Sequence, residues 1–206
     1  IAIVGDVSKA QAKILAEELT RSLEKGEKAS ALPAVPVLAE SKEIKTIHPS
    51  TQTHVLVGQP GMKRGDPDYF PLYVGNHILG GSGLVSLLFK EIREKRALSY
   101  SAYSYFSPMR EYGPFLASLS TRADQAEEAV KVLRENIRNF SENGPSSSAL
   151  EAARKNITGG FPLRIDSNSS ILGYVAVIGF YGLPLDYLDS FNANIEAVTI
   201  KDIKDS

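Results

Sequence analysis

The sequence predicts an α+β domain in which an antiparallel sheet has helices packed on one face. Two observations indicate this class. Runs of alternating apolar residues, bounded by turn residues, predict two pairs of strands, and apolar residues at helical spacing predict a block of helices after them. Strand pairs followed by a run of helices are typical of α+β proteins, because the sheet buries its apolar face under a helical layer.

The first 25 residues predict a strand and a helix that stand apart from the rest of the chain. Residues 1–7 form an apolar run interrupted at Gly5, and a strand is expected there. Ser8 is a preferred N-cap residue, and apolar residues at helical spacing follow it up to Leu23. Residues 26–41 contain two prolines and no periodicity, so they are predicted to be a linker to a domain over residues 42–206.

Turn and cap residues divide that domain into strands and helices. Asp66 and Pro67 are expected to begin a helix, since proline at the first helical position loses no hydrogen bond, and Asp124 to cap another. The expected strands are residues 43–48, 53–59, 98–109 and 112–121, of which the last two form a hairpin. The expected helices are residues 67–79, 84–96, 124–141, 146–159, 168–180 and 184–198, with a last one from Thr199.

Composition excludes several classes of function. The chain has 206 residues, of which 43% are hydrophobic and 23% charged, as in an ordinary globular protein. A net charge of −1 leaves no basic surplus for phosphates, so no nucleic-acid partner is expected. With no cysteine there is no thiolate nucleophile, thiolate zinc site or disulfide. The longest nearly apolar run, residues 171–183, is shorter than the about 20 residues of a membrane span, so none is expected.

The three histidines show no spacing that is typical of metal ligands. His48 and His54 lie on either side of a predicted turn, and His77 has no Asp, Glu or His three or four residues away. Neither HExxH nor HxxEH occurs, so strand-end or surface histidines are the expected result. The sequence therefore predicts no metal site within this chain.

A glycine-rich segment, Gly80-Gly81-Ser82-Gly83, precedes a predicted helix and could present backbone N–H groups to an anion. A phosphate loop would add a Lys-Ser or Lys-Thr pair, whereas Leu84-Val85 follow here. A flexible joint between helices is the favoured interpretation, and a phosphate-ligand binder is kept as the weaker alternative.

Arg93 and Tyr100 are the residues most suited to chemistry. Arg93 lies on a predicted amphipathic helix, and Tyr100 lies on the strand that follows it, close to the helix end, so both side chains are expected to point into one region. A guanidinium fork and a phenol together could hold a peptide carbonyl or a developing oxyanion. The alternative is a solvated, charged helix end without a function.

Several stretches of the chain, in order, resemble the C-terminal half of the insulinase/pitrilysin family of zinc peptidases. The family includes the mitochondrial processing peptidases, and the similarity is greatest to its bacterial short-chain members. The most specific block is ILGG…EIREKR…SY, from Ile78 to Tyr100. The other matching stretches are residues 1–7, 59–69, 181–187 and 197–199.

The resemblance implies the LuxS/processing-peptidase-like metallohydrolase fold and a division of labour between two similar domains. In the family, an N-terminal domain carries an HxxEH zinc motif with a downstream Glu, and a second domain closes on it like a clamp around a peptide. The second domain supplies an Arg and a Tyr seven residues apart, a spacing that Arg93 and Tyr100 share. Gly80 to Gly83 match the glycine-rich loop near the substrate-facing surface. One departure is Ala97, where many members have Gly.

This resemblance implies the substrate-binding, non-zinc half of a zinc metalloendopeptidase. It is expected to be inactive alone, with zinc bound in a missing or partner catalytic domain. The expected partners are a peptide substrate, an HxxEH-bearing domain or subunit, and a second copy of the fragment. A bacterial cytoplasm or periplasm is the expected location. The alternative is a catalytically inactive scaffold or interaction subunit, although a pure scaffold has no need for Arg93 and Tyr100.

The two ends of the chain lead to one structural hypothesis. Residue 1 is Ile, so the chain is expected to be a piece of a longer protein in which residues 1–25 close a preceding domain. The family's second domain ends with a strand and a helix that this chain does not reach. We therefore expect residues 1–7 to fill the vacant edge of the sheet, within the chain or from a neighbouring copy, because open apolar edges promote association.

Overall fold

A computed structural model describes all 206 residues and confirms the α+β class. Its sheet is antiparallel and has three strands in the order β1-β3-β2. The strands are β1 (Gln52–Pro60), β2 (Ala102–Phe106) and β3 (Pro114–Arg122). Residues 98–109 and 112–121 were predicted to form a hairpin, and β2 and β3 confirm it, with Ala102 opposite Leu119. The central strand β3 pairs on its other side with β1.

The chain has seven α-helices, and several begin at the cap residues that the sequence indicates. They are α1 (Lys9–Thr20), α2 (Tyr69–Asn76), α3 (Ala126–Asn143), α4 (Ser147–Gly160), α5 (Asn168–Tyr181), α6 (Tyr187–Ala197) and α7 (Ile200–Asp205). Ser8, Ser146 and Thr199 each accept a hydrogen bond from the backbone N–H three residues on, which satisfies a donor that the helix itself leaves free. No helix combines the length and the apolar character needed to cross a membrane.

Two apolar cores hold the domain together. In the first, one face of the sheet packs on α3 and on the helical turn that carries Ile92, and Ile92, Ala117 and Leu133 have no exposed surface. The second core joins α2, α4 and α6, where the rings of Phe161 and Phe191 stack with centroids 4.5 Å apart. Burying an apolar side chain of this size contributes about 1.5–3 kcal/mol each, so these cores fix the position of every element next to the site.

The opposite face of the sheet is not covered by any helix. Leu56 on β1 is 70% exposed, and Tyr103 and Tyr105 on β2 are 45% and 42% exposed with their rings stacked 6.2 Å apart. Leu56 and Tyr103 are both opposite Ser118 of β3, so all three side chains lie on this uncovered face. The predicted arrangement, with helices on one face of the sheet, is therefore confirmed.

The strands predicted over residues 1–7 and 43–48 are wrong. Neither stretch belongs to a strand, and no regular secondary structure occurs between the end of α1 at Thr20 and the start of β1. A strand requires a neighbour for its backbone N–H and C=O groups, and apolar alternation alone does not supply one. The hypothesis that residues 1–7 complete the sheet is consequently wrong for the chain by itself.

Several predicted helices also differ from the observed ones. Asp66 does not begin α2, which starts at Tyr69, because its carboxylate accepts from the N–H of Asp68 in a turn before the helix. Asp124 caps nothing and pairs instead with Arg122. The helix expected over residues 84–96 is replaced by a 3₁₀ turn, Gly83–Val85, and a π-helical turn, Phe89–Glu94. The helix predicted to reach residue 79 likewise ends as a π-helical turn, His77–Gly81.

Candidate functional site

The turn that carries Arg93 is an unusually wide helical segment. Phe89–Glu94 is π-helical, a form that is frequent at functional sites. It ends where the N–H of Ala97 donates to the carbonyl of Arg93 over 2.9 Å and that of Leu98 donates to the carbonyl of Ile92 over 3.0 Å. Ile92 and Leu98 are both buried in the first core. The reversal is therefore anchored, and it delivers the next residues directly into β2.

The structure brings Arg93 and Tyr100 together, as the sequence predicts, although Tyr100 precedes β2 and was predicted to lie on that strand. The guanidinium carbon of Arg93 lies 5.2 Å from the centre of the Tyr100 ring and 4.9 Å from that of Phe89. Both distances fall within the range of cation–π attraction, which holds the guanidinium in place without using its N–H groups. Tyr100 is 84% exposed, so its hydroxyl is open to an approaching molecule.

Arg93 has no acidic partner, although an acid lies two residues away. The carboxylate of Glu91 binds Lys95 at 2.5 Å and Arg96 at 2.8 Å, and hydrogen bonds from Lys95 and then Arg96 lower the pKa of Glu91. The side chain of Arg93 makes no hydrogen bond and no ion pair within the chain. Its five N–H donors are thus available to an external acceptor, next to an exposed phenol.

The reversal before Tyr100 places Ala97 in a conformation that favours glycine. Ala97 has a φ of 53° and is the one non-glycine residue of the chain with positive φ. The left-handed conformation costs an L-residue about 1–2 kcal/mol, a cost that glycine does not have. Glycine loses part of this advantage because it has more conformational freedom in the unfolded chain. This is the position at which the sequence departs from the glycine that many family members have.

We expect Ala97→Gly to stabilise the fold. The net gain is about 0.5–1 kcal/mol, or a rise in Tm of about 1–3 °C measured by thermal unfolding. Ala152→Gly is the matched control, because Ala152 is exposed in the right-handed helix α4, where glycine costs about 1 kcal/mol. A Tm that falls equally in both variants would show that the backbone at Ala97 is unstrained.

The glycine-rich segment packs against β2. A side chain on Gly80 would place its Cβ 2.3 Å from the Oγ and 2.4 Å from the backbone N of Ser104. Asn76 fixes the same contact, since its Nδ2 donates to the Ser104 carbonyl over 3.1 Å and its Oδ1 accepts from the Ser104 hydroxyl over 2.7 Å. Gly83 has a φ of 63° and no neighbour within 4 Å of a built Cβ. Glycine is therefore favoured at this position by the backbone conformation of the turn, and close packing does not require it.

The histidines are not grouped with other ligands. His48 is exposed, and the Nδ1 of His54 lies 2.8 Å from the hydroxyl of Ser120 across the sheet. His77 is half-buried. No group of three or more His, Asp or Glu residues capable of holding a metal ion occurs in the chain. The residues present therefore do not fit a zinc ion, and no step of the chemistry proposed below passes through a metal bound to this chain.

His77 should make the stability of the fold depend on pH. Burial, and then the neighbouring charge of Arg164, lowers the pKa of His77 below its usual 6.5. The unfolded chain therefore binds a proton at a pH where the folded chain does not, and the free energy of unfolding decreases as the pH falls below about 6.5. The stability that depends on neutral His77 is fully present above that pH.

The check is a series of Tm measurements between about pH 5 and pH 8, above the range in which carboxylates titrate. His77→Gln is expected to flatten the slope, while His48→Gln, at an exposed position, leaves it unchanged. A slope of equal size in wild type and His77→Gln would assign the pH dependence to other groups.

The α+β fold and the contact between Arg93 and Tyr100 agree with what the resemblance to the insulinase/pitrilysin family implies for its second domain. Comparison with known proteins identifies the family: residues 1–157 match the model of the peptidase M16 inactive domain. The chain therefore belongs to the peptidase M16 family, as its inactive domain, which confirms the resemblance to the insulinase/pitrilysin group.

Individual relatives agree with this family. The crystal structure of a peptidase M16 inactive domain from Pseudomonas fluorescens superimposes with a TM-score of 0.86 and 33% identity, over 98% of this chain and 47% of that chain. An uncharacterized zinc protease of Streptomyces coelicolor is 30% identical over 153 residues, which is 74% of this chain and 33% of the relative. A non-peptidase homolog of Helicobacter pylori, YmxG, is 29% identical over 171 residues, 81% of this chain and 39% of the relative.

The chain thus spans between about a third and a half of the length of these relatives. Family membership and fold apply to the chain itself. Arg93, Tyr100 and the segment from Gly80 to Gly83 keep their predicted roles as hypotheses, because the comparisons bear on the family and not on these residues.

Proposed function

We propose that this chain is the substrate-holding half of an M16 zinc endopeptidase. In this role Arg93 and Tyr100 bind the backbone of an extended peptide and stabilise the oxyanion of the tetrahedral intermediate. An HxxEH-bearing domain, in the same polypeptide or in a partner subunit, supplies the zinc and the base that activates water. The chain by itself performs no hydrolysis.

The observation that carries this proposal is the unpaired state of Arg93. Its guanidinium is held between the rings of Phe89 and Tyr100, at 4.9 and 5.2 Å, while the nearby acid Glu91 is taken by Lys95 and Arg96. A cation that is positioned but unbound is preorganised for an external oxygen, and such preorganisation is what oxyanion stabilisation requires. The adjacent phenol adds one neutral donor.

The alternative is a scaffold or interaction subunit with no part in catalysis. One relative, from Helicobacter pylori, is named a non-peptidase homolog, which favours this alternative for the family branch. The uncovered sheet face with Leu56, Tyr103 and Tyr105 would serve a protein partner as well as a peptide. The two functions differ in one respect: a scaffold tolerates the loss of Arg93, and a substrate-holding half does not.

Mixing the two halves tests the proposal. Hydrolysis of a quenched fluorescent peptide is measured with zinc for this chain alone, for an HxxEH-bearing half alone, and for the two together. We expect activity only in the mixture. If this chain binds the peptide but no mixture hydrolyses it, the added HxxEH-bearing half is not the partner of this chain. If the chain neither binds nor supports hydrolysis, the scaffold function is favoured. Activity of this chain alone would overturn the assignment.

A further inference from the structure

A second candidate binding site is a cavity around Arg64, whose lining contains neither Arg93 nor Tyr100. A cavity of about 550 Å³ is bounded by the glycine-rich segment, by α2 and by β2. This volume is within the range of small-molecule and side-chain pockets. Its lining includes Tyr103 and Tyr105 from one face of β2 and Ser104 and Phe106 from the other, so the cavity runs along the outer edge of that strand.

The cavity has one charged residue and no acid. Arg64 is the only ionised side chain in its lining, and aromatic rings make up much of the remaining wall. The guanidinium carbon lies 5.5 Å from the ring centre of Tyr69 and 5.4 Å from that of Tyr181, so both rings are within the range of cation–π attraction. An arginine fixed in this way presents its N–H fork with little loss of conformational entropy.

The hydrogen-bonding capacity of Arg64 is mostly unused. One N–H donates to the hydroxyl of Tyr69 over 3.2 Å, while the buried Nε has no partner at all. Buried donors without partners are rare in folded proteins and call for an explanation such as a missing ligand. Nearby groups are committed elsewhere, since Lys63 pairs with Glu111 at 2.6 Å and Arg110 donates to the carbonyl of Phe180 over 3.0 Å.

We infer that the Arg64 cavity binds a carboxylate of a peptide, with the adjacent apolar or aromatic side chain against the tyrosines. A carboxylate matches the planar fork of a guanidinium with two parallel hydrogen bonds. A phosphate group carries about −1.5 to −2 charges, and a single arginine among neutral rings leaves most of that charge uncompensated. The inference rests on the proposed function in one respect: that function is the reason for assigning the carboxylate to a peptide.

Peptides with a single tryptophan provide the test, because the protein contains no tryptophan and the fluorescence reports the peptide alone. Three forms of one acetylated peptide are compared: a free C-terminal carboxylate, a C-terminal amide, and an amide with a glutamate as the last residue. We expect one of the two acidic forms to bind at least about ten-fold more tightly than the neutral amide. The preferred acidic form identifies the source of the carboxylate.

Variants connect the preference to the cavity. Arg64→Met keeps the length of the side chain and should reduce the difference between acidic and neutral peptides to within about two-fold. Arg110→Met is the matched control, since Arg110 also stacks on an aromatic ring, Phe180 at 4.3 Å, but does not line the cavity. Tm values of both variants show whether each is folded.

The outcomes separate this inference from the proposed function. Equal binding of acidic and neutral peptides by the wild-type chain overturns the inference and leaves the substrate-holding role intact. Displacement of the acidic peptide by inorganic phosphate at similar concentration also overturns it, in favour of a general anion site. If no peptide binds in any form, both the inference and the peptide-holding function fail.

Discussion

Replacing Arg93 with alanine is expected to lower kcat/KM of the reconstituted peptidase by roughly 30- to 1,000-fold. This corresponds to about 2–4 kcal/mol of lost transition-state stabilisation, the usual effect of removing an oxyanion donor. The reason is the unpaired guanidinium, which faces no acid within the chain and lies 5.2 Å from the exposed Tyr100 ring. Tyr100→Phe isolates the hydroxyl and should cost less than Tyr100→Ala, which also removes the ring on which Arg93 stacks.

Lys90→Ala is the matched control for Arg93→Ala. Lys90 lies on the same π-helical turn and is exposed, so its removal changes the net charge equally without touching the Arg–Tyr pair. Both variants should keep the Tm of the wild type to within about 1–2 °C, because neither side chain is buried. If kcat/KM of Arg93→Ala stays within a few-fold of wild type, Arg93 is a surface charge and the scaffold function gains support.

The largest expected effect on stability comes from Gly80→Ala. The added Cβ would lie 2.3 Å from the hydroxyl oxygen and 2.4 Å from the backbone nitrogen of Ser104, so either the π-helical turn or β2 must move. Overpacking against a strand backbone costs about 3 kcal/mol, at the upper end for such substitutions. We expect Tm to fall by about 6–12 °C in thermal unfolding.

Gly159→Ala provides the comparison for Gly80→Ala. Gly159 lies in α4 with no atom within 4 Å of a built Cβ, so alanine should stabilise the helix by about 0.5–1 kcal/mol. Opposite signs for the two variants would confirm that Gly80 is required for packing against Ser104. A Tm of Gly80→Ala equal to that of wild type would mean that the segment yields easily, and that its glycines serve a ligand instead.

The sequence predicted the Arg93–Tyr100 pair but not the state of its members. The seven-residue spacing and the change from helix to strand indicated that the two side chains lie in one region, and the structure places them in contact. Whether Arg93 forms an ion pair depends on which of the nearby cations Glu91 binds. Glu91 binds Lys95, at the i,i+4 spacing that favours ion pairs on a helix, and also Arg96, so Arg93 is left without an acid.

Of the Arg64 cavity, only the glycine-rich segment was predicted as a site, even though residues 59–69 also carry part of the family resemblance. Its residues come from widely separated stretches, since Tyr69 lies on α2, Tyr103 and Tyr105 lie on β2, and Tyr181 ends α5. No spacing within the sequence connects them. The arginine next to a turn was the one available signal, and single arginines on loops are too common to indicate a site.

What the sequence determined by itself is local. Cap residues such as Ser8, Ser146 and Thr199 satisfy helix N–H groups within three residues, and the pattern of β3 alternates between core and surface, so helices α1, α4 and α7 and the β2–β3 hairpin were predictable. These features depend on groups that are neighbours in the chain, and their energies favour one conformation before any tertiary contact forms.

Which strands find partners, and which residues surround Arg64, depends on the tertiary structure. Residues 1–7 and 43–48 have strand-like patterns but no neighbour, and so they form no strand. The surroundings of Arg64 likewise depend on distant residues, since its guanidinium lies against the ring of Tyr181. Strand pairing and such contacts join residues that are far apart along the chain, and their outcome is settled by the competition among all available partners in the folded state.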